Sequence, residues 1–120
     1  MGSASEIEVQ IEGSDEQRVL RVTGPLDIGH TAELRSALVE ASQTSNAGSS
    51  TVIDLAGITA LDLCGLQLLC SAHRSFAAQG STIGLRDRPA WFSEAATAAG
   101  FTADTQACGP GLCGDCLWRE

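Results

Sequence analysis

The chain contains no lysine, and its seven arginines stand against fifteen acidic residues, for a net charge of −8 over 120 positions. Nucleic acids and anionic membranes are held mainly by clusters of Lys and Arg. The arginines here are few and scattered, so the composition argues for no nucleic acid and no membrane as partners. An acidic balance also simply keeps a protein in solution, so it excludes more than it identifies. No stretch approaches the roughly 18 uninterrupted apolar residues of a bilayer span. The start, MGSASEIEVQ, lacks the basic and apolar segments of a signal peptide, which makes the cytoplasm the expected address. Also missing are the GxxxxGK[ST] and GxGxxG loops, the GxSxG elbow and the HExxH zinc motif. With only two histidines and no acid placed to assemble a triad, an enzyme is not expected, and no cofactor or metal is implied.

What is present suits one folding unit, since domains cluster at roughly 100–150 residues. At 43% hydrophobic and 18% charged, the chain can build a core. Ile7, Val9 and Ile11 alternate with polar residues, the period of a half-buried strand. A turn at 13–16 leads to Val19, Leu20 and Val22, a second strand that Gly24-Pro25 is expected to break. Leu34, Ala37, Leu38 and Ala41 make the stripe of an amphipathic helix, with Asp27, His30 or Thr31 available to cap it. Thr51–Leu55 reads as a strand covered on both faces. A second helix follows Asp62, its expected N-cap, is striped by Leu66, Leu69, Cys70, His73, Phe76 and Ala77, and stops at Gly80. His73 on that stripe reads as a satisfied interior residue. Residues 81–85 form a further strand, and Pro89 stands as the first residue of a third helix bearing Phe92, Ala95, Ala96 and Ala99. Strand and helix alternation implies an α/β layer fold with a mainly parallel sheet.

The segment Val52-Ile53-Asp54-Leu55-Ala56-Gly57-Ile58-Thr59-Ala60-Leu61-Asp62-Leu63-Cys64-Gly65-Leu66 resembles the "VxDLSGVxFxDSSGLGLL" pattern of STAS domains of anti-sigma factor antagonists. Gly24-Pro25-Leu26-Asp27, followed by Thr31-Ala32-Glu33-Leu34, resembles the family's "GELD…TAxxL" segment, and Ala99-Gly100-Phe101 resembles its "LxxxGL" ending. The resemblance implies a SpoIIAA-like fold, a mixed and mostly parallel sheet of four to five strands with packed helices. It places the domain at 6–101, with 1–5 as an N-terminal tail or vector-derived residue and 102–120 as a Cys/Gly-rich tail.

By the same resemblance, the protein is an interaction module that binds a kinase-type anti-sigma factor and so frees a sigma factor. Asp27, Asp62, Leu63, Cys64 and Gly65 form the implied docking surface. The family's phosphoacceptor Ser is replaced by Leu63, which has no hydroxyl, so the usual phosphorylation switch is expected to be missing. The alternatives from other classes are a thiol redox or zinc-binding regulator and a STAS subunit of a transport or stress-sensing complex.

Cysteine is the other available chemistry. Cys64 falls in the first turn of the second helix, where the N-terminus favours thiolate and Asp62 beside it opposes it. Cys108, Cys113 and Cys116 lie in a Gly-rich segment with CxxC spacing between the last two. The tail has three readings: a solvated end, a reversible disulfide within it or back to Cys64, and a zinc site that needs a fourth ligand. Leu117 after Cys116 rules out the CxxCH form of haem attachment.

Overall fold

The computed structural model describes residues 7–14, 16–44 and 48–101. The elements follow in the order β1 (Glu8–Gly13), β2 (Gln17–Leu26), α1 (Thr31–Thr44), β3 (Ser50–Leu61), α2 (Leu63–Ala78), β4 (Thr82–Arg86) and α3 (Ala90–Ala98). The four strands form one sheet in the order β1-β2-β3-β4. β1 and β2 are an antiparallel hairpin, while β2–β3 and β3–β4 are parallel. This is the mixed, mostly parallel sheet expected of the SpoIIAA-like fold.

Both parallel connections step across the sheet in the same direction. Right-handed crossovers therefore put α1 and α2 on one face. On that face Leu20 pairs with Ile53 and Ile53 with Leu85 in register. They pack with Val22, Leu55, Leu34, Leu38, Leu66, Leu69, Phe76 and Phe92 as the core. Arg18 also points inward and is buried, and its Nη1 donates to the Ala41 carbonyl at 3.0 Å. That carbonyl is one of the last four of α1, which have no partner within the helix.

The strands run further than composition suggests. Gly24-Pro25 does not end β2, which continues to Leu26 through a register shift between Gly24 and Pro25. Gly24 takes φ of 103° there, a conformation that costs a glycine little. β3 likewise continues past Leu55 to Leu61. Pro89 proves to be the N-cap of α3, with φ −60° and ψ 149°, rather than its first helical residue. His73 is buried as expected but not satisfied: among the described residues its Nδ1 has no hydrogen-bond partner.

On the opposite face of the sheet, Arg21, Asp54 and Arg86 stand side by side at one register of β2, β3 and β4. Asp54 is buried, and its Oδ2 lies 2.9 Å from Arg86 Nη2 and 3.7 Å from Arg21 Nε. Its Oδ1 accepts from the Ala56 N–H at 3.0 Å. That backbone bond, reinforced by Arg86 and Arg21, holds the carboxyl below its ordinary range against the opposing effect of burial.

Candidate functional site

Leu26 and Leu61 are register partners at the ends of the parallel strands β2 and β3. The two chains therefore leave the sheet together at its carboxyl edge, where open α/β sheets build their sites. The residues after Leu26 turn back at once. The His30 N–H donates to the Asp27 carbonyl at 2.9 Å, and the Gly29 N–H donates to Asp27 Oδ1 at 3.1 Å. An Asp that bonds its own backbone two residues on is a local turn former. The same Oδ1 lies 2.6 Å from His30 Nδ1, and both side chains are about one-third exposed. The bond to His30 is the main reason the Asp27 carboxyl titrates below its usual range.

Asp62 opens α2. Its φ of −133° and ψ of −177° are extended, and its Oδ1 accepts the Gly65 N–H at 3.1 Å. This is the N-cap expected from the sequence, satisfying one of the orphan donors of the first helical turn. The second oxygen does something the sequence does not show. Asp62 Oδ2 accepts the Ile28 N–H at 2.9 Å, and the Asp62 N–H donates to the Leu26 carbonyl at 3.2 Å. One carboxylate thus clamps the β2–α1 loop to the start of α2.

Gly65 is buried where α2 meets the end of β2. A Cβ there would lie 2.6 Å from the Leu26 carbonyl oxygen, 2.8 Å from Leu26 Cγ and 3.2 Å from Leu61 Cδ1. The missing side chain lets the helix start press onto both strand ends. Cys64 beside it is half-buried and free, while Cys70, one helical stripe further on, is buried.

Two exposed aliphatic side chains stand on this end of the domain, Ile28 at 75% and Leu63 at 52%. The structure therefore brings Asp27, Asp62, Leu63, Cys64 and Gly65 to one end. Asp27 and Asp62 are joined through the backbone of the loop between them rather than directly. Ile28 and His30 belong to the same end, although local pattern marks only His30, as a candidate cap of α1. The Asp27-Ile28-Gly29-His30 turn was the available signal. Cys108, Cys113 and Cys116 lie outside the described residues, and the described ones include no cluster of potential metal ligands.

Residues 9–106 match the family model described as "Mlab, STAS domain". The chain belongs to the STAS domain family. Solved structures show the same fold. A crystal structure of an anti-sigma factor antagonist from Mycobacterium paratuberculosis is similar at a TM-score of 0.69 and 21% identity, covering 92% of this chain and 88% of that one. The anti-sigma factor antagonist SpoIIAA in its unphosphorylated form is similar at 0.65 and 18%, covering 78% and 82%. The murine Slc26a9 anion transporter is similar at 0.60 and 14%, covering 85% of this chain but 16% of the transporter. No curated protein matches the sequence. No described helix is long and apolar enough to cross a membrane.

Proposed function

We propose that this STAS domain is a non-enzymatic interaction module, an anti-sigma factor antagonist that docks a kinase-type anti-sigma factor in the cytoplasm and frees a sigma factor. The domain is taken as 6–101, with 102–120 as a separate tail. The observation that carries the reading is the pair of exposed aliphatic side chains, Ile28 and Leu63, held at one end by the two-armed Asp62 carboxylate. Apolar anchors on a rigid frame, ringed by polar groups, are how a protein face holds another protein. The structural relatives include anti-sigma factor antagonists, which supports the choice of partner.

Leu63 occupies the position where the family carries its phosphoacceptor. Side-chain phosphorylation at that residue has no acceptor atom, so binding is expected to be constitutive with respect to that switch. Control by the thiols of Cys64, Cys108, Cys113 and Cys116 belongs to the same proposal. A second reading, a STAS subunit of a transport complex, draws on the likeness to part of the Slc26a9 chain.

Titration of the purified chain with a kinase-type anti-sigma factor tests the reading. Leu63→Arg places a desolvated charge at the contact and should weaken binding by more than about 2 kcal/mol. An unchanged affinity would remove this end from consideration. Incubation with the kinase and ATP should add no phosphate mass to the peptide spanning 54–74; mass found there would show that the switch has moved to another hydroxyl. Repeating the titration with dithiothreitol and with a mild oxidant tests the thiols, and an affinity unaffected by either rejects redox control.

A further inference from the structure

Away from the docking end, α1 and α2 leave a groove of about 220 Å³ between them. Its floor is Leu38, Ala72 and Phe76, and its rim includes Arg35, Ser71 and Ser75. It shares no residue with Asp27, Asp62 or their neighbours. A volume of about seven waters at ~30 Å³ each is smaller than the roughly 300–1,000 Å³ of drug-sized pockets, so a small metabolite is the right scale.

The rim is unusual for this chain. Arg18 is spent on the Ala41 carbonyl, and Arg21 and Arg86 on Asp54. The Arg35 guanidinium makes no hydrogen bond or ion pair among the described residues, although the protein carries a net charge of −8 and has acidic groups to spare. The Ser71 and Ser75 side chains are likewise without a hydrogen-bond partner among the described residues. They stand one helical turn apart on α2, and residues four apart are neighbours on a helix surface. Ser42, also at the groove, already donates its hydroxyl proton to the Val39 carbonyl at 2.8 Å. The donors left over are thus one guanidinium and two hydroxyls, beside an apolar floor.

From this juxtaposition we infer that the α1–α2 groove binds a small amphipathic monocarboxylate, its carboxylate on Arg35 and its short hydrocarbon body over Leu38, Ala72 and Phe76. A guanidinium matches a carboxylate with two parallel N–H donors. A single positive charge balances a monoanion, whereas a phosphate dianion would leave one charge uncompensated in an already acidic protein.

The test uses the full chain and hexanoate as the probe, followed by backbone amide NMR. Hexanoate should bind in the millimolar range and shift amides of α1 and α2 around the groove. Arg35→Gln, at an exposed position, should weaken hexanoate at least tenfold while leaving the binding of 1-hexanol unchanged. Ser71→Leu, also exposed, should block both probes by filling the rim. Shifts located elsewhere, no shifts at all, or equal hexanoate affinity in wild type and Arg35→Gln would overturn the assignment. Hexanol binding as tightly as hexanoate to the wild type would likewise reduce the groove to an apolar cleft. None of these outcomes depends on the anti-sigma partner, so this inference stands or falls separately from the docking face.

Discussion

Gly65→Ala is the most direct trial of how the docking end is assembled. In an ordinary helix the change is favourable by about 1 kcal/mol, because alanine loses less backbone entropy than glycine. Here the new Cβ would sit 2.6 Å from the Leu26 carbonyl oxygen and 2.8 Å from Leu26 Cγ. That is about 0.8 Å short of ordinary contact with a backbone atom already committed to the Asp62 N–H. Neither strand end can yield cheaply, since Leu26 is fully buried. The clash is with a backbone oxygen rather than a flexible side-chain end, so the cost lies in the upper part of the overpacking range, about 2–3 kcal/mol. After the propensity gain the net loss is about 1–2 kcal/mol. For a domain of this size that lowers Tm by roughly 4–16 °C. The first turn of α2 must also retreat from β2 and loosen the Asp62–Ile28 bond, so partner affinity should fall with stability. Gly84→Ala is the control. Its Cβ would meet nothing within 4 Å, and the variant should unfold within about 0.5 kcal/mol of the wild type. Urea melts of the three proteins decide the matter. A Gly65→Ala protein as stable as the wild type would refute the close approach.

The buried carboxylate of Asp54 sets an acid dependence. Its folded pKa lies below the ordinary 3.8, so its contribution is fully present above that value and is lost as pH falls through the folded value. Asp54→Asn should therefore cost about 2 kcal/mol at pH 7, and the gap to wild type should narrow below about pH 4; a gap independent of pH in urea melts rejects this. His73→Leu removes a buried nitrogen that has no partner among the described residues and replaces it with an apolar group. Its stability should equal or exceed wild type by up to about 1 kcal/mol, and a loss larger than that would mean Nδ1 is satisfied by residues beyond those described.

Periodicity along the chain was enough to read the element order, the inward stripes of α1 and α2, the buried Phe92 and Ala96 of α3, and the cap at Asp62. Each of these depends on neighbours within one or two turns, and local pattern carries that information. Ala99, expected on the α3 stripe, is instead the exposed C-cap of that helix. Gly24-Pro25 looks like a break on propensity alone, and nothing local extends the third strand beyond Leu55. Pairing between β2 and β3 carries both strands past these points, and tertiary context overrides propensity in strands.

The docking residues themselves were legible through a resemblance, but their arrangement was not. Nothing local says that Asp62, placed to cap its own helix, also accepts the N–H of Ile28 across 34 positions. Nor does the sequence show that Gly65 is glycine because Leu26 lies against it, or that Asp54 is enclosed by arginines from the two flanking strands. Those contacts exist because parallel pairing sets Leu26 beside Leu61 and Arg21 and Arg86 on either side of Asp54. Composition and spacing determined which faces of this protein are buried; strand register and the hand of the crossovers, which are properties of the whole sheet, decided which side chains meet.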